Sequence, residues 1–224
     1  MANARKKTFP TNAGKPTAKG TSPKTSKARS SNKPSKLAKM PAELQAVQVL
    51  SSKLVHTAPV FRVMTDVVIE PSGAKVRRDV IRHPGSVVIL ALDERKKEPL
   101  VLLIRQYRYA ANQELWELPA GRMDEGEDAL TGAKRELAEE TGYSAAEWKL
   151  ALYYYASPGF LDETMSIFAA RKLTKGKASP EEDEFITCKL LPLTKAVRWV
   201  MTGKVQDGKA IAGILWAAQK FHLS

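Results

Sequence analysis

Seven residues, Gly121, Glu127, Arg135, Glu136, Glu139, Glu140 and Gly142, are spaced to gather negative charge on one turn of a helix. They lie in the run GRMDEGEDALTGAKRELAEETGY (121–143). With residues 128–141 as a helix, Leu130, Ala133 and Leu137 fall at i, i+3 and i+7, an apolar stripe that can seat on a sheet. Glu136 and Glu140 are four apart and Glu139 is three beyond Glu136, so the carboxylates share a side beside that stripe. Two carboxylates ~5 Å apart repel by roughly 3 kcal/mol at an effective dielectric of about 20, and a third adds to it. On this reading Arg135 neutralises only one neighbour. Hard cations with oxygen ligands, Mg²⁺ or Mn²⁺, hold the remaining charge most economically and keep waters that can be exchanged for phosphate oxygens. Gly121 and Gly142 punctuate the two ends, where the chain turns into and out of the helix. An E-x-x-E-E run alone would be an ordinary solvated face. The glycines, Glu127 and the Arg-Glu pair in the same register favour a metal site.

The elements that must position this turn are legible on both sides. Leu50 to Val80 alternates like short strands, with VFRVMTDVVIE and AKVRRDVIR joined by a turn at Pro71-Ser72-Gly73, which predicts a β-hairpin. Pro84-Gly85 breaks it. SVVILAL (86–92), LVLLIRQYR (100–108), ELWELP (114–119), WKLALYYYAS (148–157), TMSIFAARKL (164–173) and FITCKLLPL (185–193) read as strands. The tyrosine run 153–155 is expected to be buried, and Glu181–Glu184 to sit in a solvated loop. Leu193, Ala196, Val197, Val200 and Met201 have helical spacing, as do Ile211, Leu215, Ala218 and Phe221, and Gly203 is expected to end the first helix. The sum is an α/β protein, a mixed sheet between helices, preceded by a small N-terminal β-rich segment. Three parts follow: a basic tail at 1–41, the β segment at 42–84, and the main domain at 85–224.

Charge is unevenly spread. The formal net charge is +12, yet residues 1–41 carry eleven Lys or Arg and no acid, leaving 25 basic against 24 acidic residues in the rest. The tail is rich in Lys, Ser, Thr and Pro with a single aromatic, Phe9, and is expected to be disordered because it cannot bury enough apolar surface to offset chain entropy. A solvated linker is its ordinary reading, a transit peptide is another, and an electrostatic grip on nucleic acid or acidic lipid is the sharper one. It has no apolar core of a secretory signal. Cys188 is the only cysteine, which excludes an intrachain disulfide and a Cys-rich zinc site. No apolar run approaches the ~20 residues that span a bilayer. A cytoplasmic protein without a membrane partner is the expectation.

Residues 121–143 resemble the Nudix box, G-x5-E-x7-R-E-U-x-E-E-x-G-U, with Leu137 at the first apolar position and Tyr143 at the second. Two features outside it resemble the ADP-ribose pyrophosphatase branch of the Nudix hydrolases: the lead-in RQYRYAANQELWELPAG (105–121), and SPGFLDE (157–163) with Pro158 downstream of the box. VRRDVIRHPGSVVIL (76–90) is similar to that branch's N-terminal segment. The resemblance runs over roughly residues 50–218. It implies the Nudix α/β/α sandwich and a metal-dependent cleavage of ADP-ribose to AMP and ribose 5-phosphate. Another nucleoside diphosphate sugar, such as GDP-mannose or ADP-glucose, is the near alternative. A nucleotide- or RNA-binding module that uses the basic tail is the distant one.

Carried over by position, the resemblance implies metal ligation by the carbonyl of Ala120 and the carboxylates of Glu136 and Glu140, with Glu139 supporting the cluster and Arg135 paired to Glu127. Glu163 matches the acidic residue on a mobile loop that positions or deprotonates the attacking water, while adjacent Asp162 keeps the choice of base open. Arg108 matches an arginine that reaches the diphosphate. Arg77 or Arg78 matches one that holds the nucleotide, and since adjacent strand residues face opposite ways, only one can serve a given site. The catalytic set is therefore Glu163, Glu139 and Arg135, with Gly121, Glu127 and Gly142 structural. Because the hairpin of this branch reaches across to its partner, a homodimer with shared sites is implied.

Overall fold

The computed structural model describes residues 47–179 and 185–222. The basic tail 1–41 and the acidic run at 181–184 lie outside the described residues. A three-stranded antiparallel sheet comes first: β1 (Gln48–Thr57), β2 (Arg62–Ile69) and β3 (Lys75–Arg82), in that order. The expected hairpin is β2–β3, closed by a turn in which Gly73 N–H donates to Glu70 O at 2.8 Å. β1 was not separated from it in the sequence.

The main sheet comprises β4 (Ser86–Asp93), β5 (Leu100–Arg108), β6 (Gln113–Glu117), β7 (Ala120–Arg122), β8 (Tyr143–Tyr155), β9 (Thr164–Lys175) and β10 (Thr187–Pro192). Its order is β10-β5-β4-β9-β8, with β6 on β5 and β7 on β4. β4 and β9 run parallel and the other pairs antiparallel, so the sheet is mixed.

Strand β4 shows why this is a three-layer structure. Its apolar residues are buried on both faces, and the two-residue strand period divides them. Val87, Ile89 and Ala91 pack with Ala133 and Leu137 of α1 (Ala129–Thr141). Val88, Leu90 and Leu92 pack on the opposite side, in a core shared with Leu193 and Ala196 of α2 (Leu193–Met201) and Ala210, Ile214 and Ala217 of α3 (Gly208–Lys220). This is the expected α/β/α sandwich. No helix among the described residues is long and apolar enough to cross a membrane.

The expectation of a buried tyrosine run is corrected. β8 is the last strand of its sheet and pairs only with β9. Alternation there leaves Tyr153 at 41% and Tyr155 at 53% exposure, with their rings edge to face, while Tyr154 turns toward the core.

Candidate active site

Helix α1 begins where Asp128 caps it, accepting N–H bonds from Leu130 and Thr131 at 3.1 Å each. The helix lies across β7, and two of its carboxylates converge on the Ala120–Gly121 backbone. Glu140, only 3% exposed, accepts the Ala120 N–H on Oε2 at 3.0 Å. Glu136 packs so closely on Gly121 that a methyl group there would stand 2.0 Å from its Cδ. Any side chain at 121 would expel that carboxylate. At the other end Gly142 takes the left-handed conformation (φ 72°) and donates its N–H to Ala138 O, and a methyl there would meet Ala178 N at 2.5 Å. The chain thus leaves the helix directly into β8.

Arg135 does more than the sequence reading allowed. Its Nε and Nη2 bond both oxygens of Glu127 at 3.1 and 3.0 Å. Its Nη1 bonds Glu136 at 2.7 Å and Glu139 at 3.0 Å, and Nη2 also reaches the Arg122 carbonyl. The expectation that Arg135 neutralises one neighbour is therefore corrected: a guanidinium carries five N–H donors in a fixed fork, enough for three carboxylates at once. The Glu127 bond, ahead of those to Glu136 and Glu139, drives the Arg135 pKa above its already high ordinary value. Arg135, with the Asp124 N–H, holds the Glu127 carboxyl below the usual range. Glu139 is half-exposed and shares the Arg135 Nη1 with Glu136.

The donors on β7 and α1 suit a hard cation. Glu136 and Glu140 offer carboxylate oxygens, and the missing side chain of Gly121 is the space Glu136 occupies. Among the described residues no three His, Cys, Asp or Glu side chains gather into a metal-holding cluster.

Glu163 lies on the far side of the 157–163 turn, where Ser86 Oγ donates to its Oε1 at 2.7 Å and His83 Nδ1 stands 3.7 Å away. Asp162 instead accepts from Arg82 at 3.2 Å and from the His83 N–H at 2.8 Å. The two adjacent acids thus differ in their side-chain partners, Ser86 for one and Arg82 for the other, with His83 beside both.

Arg108 is bound through Nε and Nη2 to both oxygens of Glu117, each at 2.8 Å. Glu117 is 1% exposed and also accepts from Lys209, which bonds Asp207 at 2.8 Å. Asp207 in turn caps α3 through the Ala210 N–H at 2.9 Å. Burial alone would raise the Glu117 carboxyl, but the bond from Arg108 and the charge of Lys209 outweigh it and leave it below the usual range. For Asp207 burial wins against Lys209 and the carboxyl is raised. Burial, with the charges of Asp207 and Glu163, pushes the Tyr154 hydroxyl up to about 12. Tyr154 thus feels the charge of both Asp207 and Glu163.

Arg77 and Arg78 are exposed on β3 and engage Asp79 and Glu70, at 3.0 and 2.6 Å. Within one chain the described contacts do not bring either to the box. Sequence reasoning missed Glu117, Asp207 and Lys209, and also Arg82, Asp162 and Ser86 as partners. The signal was faint: an acid closing the apolar strand ELWE, and an Asp at the start of the helical pattern after Gly203. A hollow of about 290 Å³ lined by Leu92, Trp148, Ala169, Trp216 and Phe221 lies at the other end of β4, and no box carboxylate lines it.

A NUDIX domain family model matches residues 82–212. The chain is 37% identical over 172 residues to an ADP-ribose pyrophosphatase of Mycobacterium tuberculosis, across 75% of this chain and 81% of that one. It is 30% identical over 169 residues to a methanol dehydrogenase activator of Bacillus methanolicus, across 75% and 90%. A solved structure of an ADP compounds hydrolase superposes with a TM-score of 0.69 at 18% identity, covering 81% of this chain and 97% of the other, a likeness of fold.

Proposed function

The chain belongs to the NUDIX family, and from that premise we propose that it hydrolyses the diphosphate of ADP-ribose to AMP and ribose 5-phosphate with a divalent ion, Mg²⁺ in the first instance and Mn²⁺ as the alternative. The observation that carries the chemistry is the convergence of Glu136 and Glu140 on the Ala120–Gly121 backbone. A divalent ion held by those carboxylates and the Ala120 carbonyl would neutralise diphosphate oxygens and acidify water. Arg135 keeps the rest of the acidic turn in place through Glu127 and Glu139. Arg108, two of whose nitrogens are taken by Glu117, meets the diphosphate through Nη1. Glu163 accepts a proton as the water oxygen bonds to phosphorus. The bridging P–O bond breaks, and the leaving phosphate keeps the bonding pair. Similarity to an ADP-ribose pyrophosphatase over most of both chains supports the choice of substrate.

The test is release of the nucleoside monophosphate, AMP from ADP-ribose or ADP-glucose and GMP from GDP-mannose, together with cap removal from capped RNA, each with and without Mg²⁺. ADP-ribose is expected to turn over fastest, and only with metal. Faster hydrolysis of another sugar nucleotide would reassign the substrate, and metal-independent turnover would remove the mechanism.

We further propose a homodimer. β1 is exposed along its whole length and leaves Val49, Leu50, Leu54 and Val55 uncovered, an edge and a face suited to a second copy. Arg77 or Arg78 would then be offered to the partner's site. Light scattering is expected to give twice the chain mass, and a monomer at micromolar concentration would remove this arrangement.

A further inference from the structure

Residues 160–162 are bound to the end of the N-terminal sheet before the chain reaches Glu163. Ile81 N–H donates to Phe160 O at 2.8 Å, and Asp162 N–H donates to Ile81 O at 3.1 Å, so Ile81 and Leu161 form a short parallel bridge. Side chains reinforce the backbone there. Arg82 spans two acids, donating Nη1 to Asp162 at 3.2 Å and Nη2 to Asp66 at 2.9 Å. Asp66 is buried inside the sheet and also accepts from Ser52 at 2.6 Å. The Ala156 N–H donates to Glu163 O at 2.9 Å and closes the base of the loop.

Beyond this clasp, the Glu163 side chain is met by Ser86. Ser86 opens β4 and is paired with Arg122 of β7 and Met165 of β9, so its hydroxyl stands on backbone paired on both sides. Its 2.7 Å bond to Oε1 fixes the rotation of the carboxylate and so the direction of Oε2. A glutamate has three side-chain torsions to lose, and a base misplaced by about 1 Å can forfeit on the order of a hundredfold in rate. Contacts that remove that freedom act on the chemical step without touching substrate.

We propose that Ser86, together with the Arg82–Asp162 clasp, positions the Glu163 carboxylate, making the N-terminal sheet part of the apparatus that aims the base. The inference rests on the reading of Glu163 as general base. It adds Ser86, Arg82 and Asp162 as positioning residues, and it gives that sheet a role besides contact with a second copy.

Steady-state kinetics on ADP-ribose, with amide exchange over residues 156–163, test it in four folded variants. Ser86→Ala is expected to lower kcat about tenfold with KM within about twofold, in line with loss of one hydrogen bond to a charged group. Ser86→Thr keeps the hydroxyl and is expected to stay within about threefold of the parent chain. Asp162→Asn is expected to lower kcat by a similar factor and to speed exchange at Leu161 and Asp162; it stands in if Ser86→Ala does not fold. Glu163→Gln is expected to lose about a hundredfold. If Glu163→Gln is slow while Ser86→Ala and Asp162→Asn keep full kcat, the positioning inference is overturned and the base survives. If Ser86→Ala raises KM with kcat intact, Ser86 binds substrate and the inference is likewise overturned. Full activity in Glu163→Gln would remove the base and the inference with it.

Discussion

Glu140→Gln is expected to lower kcat by about a thousandfold or more, on the order of 4 kcal/mol of barrier, while the protein stays folded. The substitution isolates charge. Glutamine has the same shape, and its side-chain oxygen can still accept the Ala120 N–H that Glu140 accepts at 3.0 Å. The packing of a buried residue on β7 is therefore retained, and what is lost is the anionic ligand. Glu139→Gln is the matched control, because Glu139 sits on the same turn but is half-exposed and directed to Arg135. As a member of the catalytic set that supports the cluster, it is expected to cost less than Glu140→Gln but more than the loss of an isolated exposed ion pair. Calorimetric Mg²⁺ titration of both variants, beside the rates, separates the two positions. Comparable losses at 139 and 140 would mean that the whole acidic turn matters only as bulk charge. Near-normal turnover in Glu140→Gln would reject its assignment as a ligand.

The contrast between these two glutamates shows what could be read from sequence and what could not. Helical spacing places Glu136, Glu139 and Glu140 on one side, and the expected span 128–141 matches α1 to within a residue with Gly142 at its end. The Asp128 cap was not read, and Gly121, expected to turn the chain into the helix, lies in β7 instead. β4 was equally legible, since an apolar run can be buried on both faces only in the middle layer of a sandwich. Spacing did not reveal that Arg135 ties Glu136 and Glu139 together with Glu127, because that depends on the reach of a fork across the preceding loop. β7 is three residues long and carries no periodicity, yet it supplies the backbone on which the carboxylates converge. The tyrosines at 153–155 were misread because hydrophobicity reports that a strand exists and not whether it lies at an edge. Contacts between distant positions, such as Ser86 with Glu163, 77 residues apart, leave no local trace.

The Glu117 cluster is the extreme case, and Glu117→Ala is expected to destabilise the fold by about 3–5 kcal/mol, the usual cost of removing one partner from a buried ion pair. Arg108 and Lys209 both depend on this carboxylate, and Lys209 would be left with Asp207 alone. Acid dependence provides an independent check. Burial raises the Glu117 carboxyl, but Arg108 and Lys209 more than reverse this, so its folded pKa lies below the unfolded one. Its stabilisation is then complete above the ordinary carboxylate pKa and is lost as pH falls through the folded value. Asp207 has the opposite sign: raised by burial, it favours the fold at low pH, and that contribution is lost as pH rises through its folded pKa. Removing Glu117 abolishes the first effect and eases the second, because the Glu117 charge is one of the influences raising Asp207. Urea unfolding of Glu117→Ala is therefore expected to show a large loss at neutral pH that shrinks toward pH values below the carboxylate range. A cycle with Arg108→Ala is expected to be strongly non-additive, since the second substitution removes a cation already stranded by the first. Additive losses, or a loss at neutral pH below about 1 kcal/mol, would place Arg108 and Glu117 among ordinary surface pairs. The cluster would then have no part in presenting Arg108 to the diphosphate that it is proposed to meet.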